Sequence, residues 1–164
     1  MDIFIRKLRE QDAEELFQFE LQNRTFFEKM VPSRGEEYYE YETFCLRHQE
    51  LLVEQESEKS SFFLIINNSN QIVGRINLVD IDPVIGIAHI GYRVGEGFTR
   101  KGIASIALGL LLETASTYGL KKLHAKTTLE NRASQKVLVK SGFYPVLFEN
   151  ERDQGEFVHY IFEY

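Results

Sequence analysis

Residues 92–104 read Tyr92-Arg93-Val94-Gly95-Glu96-Gly97-Phe98-Thr99-Arg100-Lys101-Gly102-Ile103-Ala104, a strand end, a glycine-rich loop and the start of an apolar helix. Such a junction can bind an anion, because the first N–H groups of a helix have no partner within it and the helix dipole adds positive charge there. Gly97 and Gly102 would let a phosphate approach the backbone, with the charges of Arg100 and Lys101 beside it. The same glycines also suit a plain strand-to-helix turn, with Gly102 allowing close helix–sheet packing. Spelling excludes two phosphate loops: Ile103-Ala104 stand where a P-loop needs Lys and Ser/Thr, and Arg100 stands where a dinucleotide fingerprint needs glycine. Cys45 and His48 share a helix face, but no third residue orients them, and their polar surroundings read as surface. His48, His89, His124 and His159 are scattered without ligand spacing, so no metal is expected.

These groups need a scaffold. Residues 3–9 predict a strand, and Asp12 can cap a helix carrying Leu16, Phe17, Phe19 and Leu21. Residues 23–34 read as irregular, and 35–55 as a long polar helix anchored by Tyr39, Phe44, Leu51 and Leu52. Strands are predicted at 62–66, 72–79 and 86–94, then a helix at 100–118 stopped by Gly119. A strand at 123–129 and a helix at 132–141, ended by Gly142, precede strands at 143–148 and 157–162 around an acidic turn. Asn131 is a good N-cap for the second of these helices, with Ser134 in its first turn. The order implies an α/β (α+β) fold, a mixed central sheet of about seven strands with about four helices on its faces. With no repeat or linker, residues 1–164 read as one domain.

The run Asn131-x-x-Ser134-x-x-Val137-x-x-Lys140-x-Gly142-Phe143, with the glycine loop and Ile103-Ala104-Ser105-Ile106-Ala107, resembles the GNAT N-acetyltransferase family. Within it the chain looks most like the ribosomal-protein alanine N-acetyltransferases (RimJ/RimL type), which Asn23-Arg24-x-Phe26 with Pro32 and Arg75-Ile76-Asn77-Leu78 also fit. The resemblance is specific over 74–143 and loose before 60. It implies the GNAT acyl-CoA N-acyltransferase fold, acetyl-CoA as co-substrate and direct transfer of acetyl to a primary amine. Coenzyme contacts are then expected from Tyr92, Arg93 and Val94 on the strand, and from Gly97, Phe98, Thr99, Arg100, Lys101, Gly102, Ile103 and Ala104 at the loop. Asn131, Ser134, Lys136 and Lys140 are expected to add contacts from the following helix. The strands around Tyr92 and Leu129 should splay to admit the pantetheine arm, with an N–H near 92–94 stabilising the oxyanion. Ser134 would hydrogen-bond the leaving thiolate. Tyr92 and His89 are the other catalytic candidates, though a strand histidine is ordinarily packed within its sheet and a strand tyrosine ordinarily core. Glu28 and Glu130 are further candidates for the base. Two departures stand out: Thr99 occupies the position of a usual Gln/Arg, and Leu138 that of a tyrosine which in many members protonates the thiolate.

Composition narrows the classes. Of 164 residues, 43% are hydrophobic and 27% charged, as in a globular chain and unlike a disordered one. No apolar run reaches the roughly 20 residues of a membrane span. The first residues do not read as a signal peptide, and one cysteine suits a reducing compartment, so a cytoplasmic location is expected. Residues 93–140 carry nine basic and three acidic side chains, leaving ten basic and twenty-two acidic for the rest. An acidic body with one basic segment disfavours broad nucleic-acid binding and suits an anionic coenzyme with a cationic acceptor, and without an apolar span no membrane partner is expected. With the resemblance, the leading acceptor is the α-amino group of a basic, ribosomal protein. The alternatives are a small amine (polyamine or aminoglycoside) and a non-catalytic acyl-CoA-binding module. Strand edges permit a monomer or a homodimer.

Overall fold

A computed structural model describes residues 2–147 and 157–164. Seven strands form one sheet in the order β1-β2-β3-β4-β5-β7-β6. They are β1 (Ile3–Lys7), β2 (Ser61–Asn67), β3 (Ile72–Asp82), β4 (Ile87–Val94), β5 (Lys122–Thr128), β6 (Tyr144–Val146) and β7 (Phe157–Glu163). All neighbouring pairs are antiparallel except β4 and β5, which run parallel. Five α-helices accompany them among the described residues: α1 (Ala13–Gln22), α2 (Arg24–Glu28), α3 (Tyr41–Glu56), α4 (Ile103–Thr117) and α5 (Arg132–Lys140).

Each face of the sheet has its own core. Leu108 and Leu111 of α4 and Leu138 of α5 pack with Ile65, Ile76, Leu78 and Leu123 on one face. Leu16, Phe17 and Phe19 of α1, Phe27 of α2 and Phe44 of α3 pack with Phe62, Leu64 and Ile66 on the other. With helices on both sides, β2 is buried at every position, which is why Phe62-Phe63-Leu64-Ile65-Ile66 is continuously apolar. The second core takes its strand residues from β2 and β3 alone, so the face of β4 beyond α1–α3 stays open. His89 and Gly91 are exposed there.

Several expected boundaries move for physical reasons. Residues 24–28, read as irregular, form α2, a helix too short to show a period, held by Phe27 against Phe19. The long helix expected over 35–55 is broken: Gly35 at φ +90° starts a 3-10 turn over Glu36–Tyr39, and extended Glu40 separates that turn from α3. The break turns the Tyr38 hydroxyl inward to Glu20 and Arg75. α4 starts at Ile103 rather than 100, because Arg100 and Gly102 adopt positive φ. β3 runs on to Asp82, β5 stops at Thr128, and the strand expected over 143–148 is confined to Tyr144–Val146. The acidic turn, with Phe148, lies outside the described residues. His48 is buried instead of lying at the surface, and its Nε2 meets the Arg9 carbonyl oxygen at 2.9 Å, tying α3 to the chain after β1.

Candidate active site

The site begins where strand pairing fails. β4 and β5 are in register for four pairs only, from Ile87↔Lys122 to Ile90↔Ala125. Past them β4 stays paired with β3 as far as Val94↔Gly74, and β5 stays paired with β7 as far as Thr128↔Phe157. A wedge opens between, with two unpaired backbone edges. The end of β5 is engaged elsewhere: Gln135 Nε2 donates to the Thr128 and Leu129 carbonyl oxygens at 3.1 and 2.9 Å. Asn131 caps α5, its Oδ1 accepting the Ser134 N–H at 3.1 Å. Tyr92 then bridges the wedge, its hydroxyl lying 2.9 Å from Ser134 Oγ and donating to the Ser134 carbonyl oxygen at 3.3 Å. Burial pushes the Tyr92 phenol up to about 12, so the bridge carries a proton across the neutral range.

The glycine loop closes one end. The Gly95 N–H donates to the Val73 carbonyl oxygen, and a Cβ there would stand 3.0 Å from the Phe19 ring. Asn23, at the α1–α2 junction, accepts the Glu96 N–H through Oδ1 at 2.9 Å and donates to the Phe19 carbonyl oxygen. Arg100 and Gly102 lie at φ +62° and +77°, left-handed turns that bend the chain into the start of α4. No side chain caps α4, and its first internal bond is Ile106 N–H to Gly102, leaving the amides of Ile103, Ala104 and Ser105 without helical partners. A Cβ on Gly102 would meet nothing within 4 Å, so glycine serves the left-handed turn and not close packing.

A cavity of about 720 Å³ runs from this loop through the wedge to the α2 side of the sheet. Phe26, Phe27, Met30, Val31 and Pro32 wall its far end. Strand alternation sends Tyr92 to the α4–α5 face and Arg93 to the α1–α2 face. There Arg93 lies over the Phe27 ring and 3.5 Å from the buried Glu20 carboxylate. Glu20 Oε1 accepts from Arg75 Nη1 at 2.7 Å and from the Tyr38 hydroxyl at 3.3 Å. Burial alone would raise the Glu20 carboxyl; Arg75, Arg93 and Arg34 outweigh it and hold the group below its ordinary range. Asn77 also lines the cavity, with its Oδ1 unpartnered.

Of the residues expected at the coenzyme, Tyr92, Arg93, Val94, Phe98, Thr99, Arg100, Gly102, Ile103, Ala104, Asn131 and Ser134 line this cavity. Gly97, Lys101, Lys136 and Lys140 do not, and all four are exposed. His89 is outside it too, exposed and 5.1 Å from the His124 ring. Glu28 is engaged with Arg24 and Ser33, and Glu130 is exposed outside the wall. Among the described residues no carboxylate or imidazole lines the cavity, and no group of three or more His, Cys, Asp or Glu could hold a metal ion. Sequence reasoning missed Glu20, which reads as one more polar helix residue, and the loop-pinning role of Asn23. Only the contact across 73 residues reveals the latter.

The chain belongs to the GNAT acetyltransferase family. The family's profile, an acetyltransferase (GNAT) domain, matches residues 2–144. The probable N-acetyltransferase YjcK of Bacillus subtilis (strain 168) is 30% identical over 147 residues, covering 87% of this chain and 80% of that protein. The ribosomal-protein-S5-alanine acetyltransferase of Vibrio fischeri has the same fold, with a TM-score of 0.88 at 19% identity over 99% of this chain and 93% of that one. RimL, a ribosomal L7/L12 α-N-protein acetyltransferase solved with coenzyme A, gives 0.86 at 21% identity over 98% and 93%. The protein is an N-acetyltransferase of GNAT type. No helix among the described residues is long and apolar enough to cross a membrane.

Proposed function

We propose that the protein transfers acetyl from acetyl-CoA to the N-terminal α-amino group of a protein or peptide, a ribosomal protein being the leading acceptor. The observation that carries this reading is the wedge bridged by Tyr92 and Ser134 beside the uncapped start of α4. Arg100 and the free amides of 103–105 fit a pyrophosphate, and the unpaired edges of β4 and β5 fit an amide-bearing arm lying like a strand. An N–H on β4 near Tyr92 stabilises, in this reading, the charge on the thioester oxygen as the amine attacks. Ser134 Oγ hydrogen-bonds the departing sulfur, and the Tyr92 hydroxyl behind it relays a proton to that sulfur; the proton that the amine nitrogen loses on forming the amide passes through water to Tyr92, which ends unchanged. Leu138, 1% exposed in the core, has no proton to give.

The wall chemistry favours an α-amine. Arg34, Arg75, Arg93, Arg100 and Lys126 line the cavity with no acidic side chain among the described residues, which disfavours an ammonium ion there. An α-amino group, with a pKa of about 8, sheds its proton readily to water, whereas a lysine-like amine near 10.4 does not. Asn77 Oδ1 is an unpaired acceptor for the amine's remaining hydrogen. This local charge runs opposite to the expectation of a basic acceptor, which rested on the acidic excess of the residues outside 93–140.

The test is free-thiol release from acetyl-CoA with peptides beginning in Ala, Ser or Met, with spermidine and with an aminoglycoside. The expected result is release with at least one peptide, abolished by blocking its terminus. Release only with spermidine or the aminoglycoside would replace the acceptor class. Coenzyme binding with no release from any amine would favour a binding module.

A further inference from the structure

The α1–α2 side of the cavity holds more positive charge than the protein neutralises. Three guanidiniums, from Arg34, Arg75 and Arg93, surround the single carboxylate of Glu20. Arg75 takes that carboxylate, bonding Oε1 at 2.7 Å, and is itself almost wholly buried. Arg93 reaches Oε2 only at 3.5 Å, and Oε2 makes no hydrogen bond. Arg34 has the Tyr38 hydroxyl at 3.1 Å and the Tyr38 ring at 4.9 Å, neither of which is an anion. Arg93 and Arg34 therefore lack a full counter-charge, Arg93 mostly buried and Arg34 at the exposed rim of the same cavity. Arg93 keeps 19% of its side chain exposed and lines that cavity, as Arg34 does. Burial, and after it the neighbouring Arg34, push the Arg93 guanidinium down to about 10, the behaviour of a cation crowded by cations. A buried charge without a partner is costly, and a guanidinium fork is matched by a carboxylate.

We infer that the acceptor brings the missing anion: a peptide with an acidic side chain among its first three residues, its carboxylate bound by Arg93 and Arg34. This rests on the proposal that the protein acetylates a peptide α-amine, and it adds which peptides. The spacing agrees, since an extended chain advances about 3.3–3.6 Å per residue and Arg93 follows Tyr92 directly on β4. The two side chains leave β4 on opposite faces, so a peptide entering from the α1–α2 side brings its α-amine to the wedge and keeps its second and third residues on the side where Arg93 and Arg34 line the cavity. Phe26, Phe27, Met30 and Val31 on the same wall leave apolar surface for the rest of the peptide.

The test compares kcat/KM for peptides that share a first residue and carry Glu, Gln or Lys at positions two and three. Wild type should prefer Glu over Gln by about 10–100-fold, the range of a charge-assisted hydrogen bond, and Lys should be poorest. In Arg34→Gln, an exposed position whose fold is checked by thermal melting, the Glu-to-Gln ratio of kcat/KM should fall toward one. Arg34→Glu should reverse the order and favour the Lys peptide. Equal use of all three peptides, or a preference for Lys in wild type, would overturn the inference and leave the peptide reading standing. If no peptide reacts while spermidine does, both fail.

Discussion

Tyr92 and Ser134 make the sharpest residue-scale prediction, because they meet across a gap in the sheet that neither strand pairing nor core packing closes. Tyr92→Phe removes the hydroxyl and keeps the ring against the core, so kcat should fall by about 100-fold or more with little change in the KM for acetyl-CoA. Steady-state kinetics with a saturating acceptor measures this; unchanged kcat would remove Tyr92 from the reaction. Glu20 and Asp12 make a second prediction, about pH. Arg6 and Arg9 outweigh the burial of Asp12 and hold it low, as the arginines hold Glu20. Both folded-state values lie below the ordinary 3.8 and 4.5, so the stabilisation is complete above those values and is lost as pH falls through the lower folded ones. Urea midpoints should therefore be flat from neutral pH to about 5 and then decline. Glu20→Gln should flatten part of the decline while lowering neutral-pH stability by about 3–5 kcal/mol, since it strands buried guanidinium charge.

At the scale of elements, α1 and the coenzyme loop are joined by one side chain. Asn23→Ala frees the Glu96 amide and should raise the KM for acetyl-CoA several-fold, leaving the acid-peptide preference intact; isothermal titration with coenzyme A checks it. β3 and β4 meet so closely at Gly74 that a Cβ would stand 2.5 Å from the Arg93 carbonyl oxygen. Gly74→Ala should cost at least about 2 kcal/mol and disturb the wedge from behind, because backbone must move to admit a methyl group. The sequence announced many of these elements. The alternation of β4, the unbroken apolar run of β2, the Asn131 cap and the Gly142 stop are local patterns, and each is found in place. What it left hidden was made by contacts distant in the chain. α2 exists because Phe27 has Phe19 to pack on, and the helix over 35–55 breaks so that Tyr38 can reach Glu20. The cavity wall followed the same rule: the glycine loop could be singled out from its local spelling and Ser134 from the family resemblance, whereas the Glu20 cluster joins residues 55 apart, Glu20 and Arg75. The acidic excess outside 93–140 did not reveal the arginines on the cavity wall, because a summed charge says nothing of which residues face the cavity.

Over the whole molecule, the sheet consists of two antiparallel blocks, β1-β2-β3-β4 and β5-β7-β6, that meet at the four-residue parallel pairing of β4 with β5. A ligand lying in the wedge touches both blocks, so acetyl-CoA should stabilise the fold as well as feed the reaction. At a hundred times its dissociation constant it contributes about 2.7 kcal/mol, or roughly 5–10 °C in melting temperature for a chain of this size. Differential scanning fluorimetry with and without the coenzyme reads this directly, and an unchanged midpoint at saturation would refute it. The short seam also gives the molecule a second clock. The shared core on the α4–α5 face already joins the two blocks, and a reactant bound across the wedge would make opening, and so attack by proteases, rarer still in proportion to its supply. The protein's lifetime in a cell would then track the supply of activated acetyl groups, and starvation would thin the enzyme's numbers before any regulator acted on it.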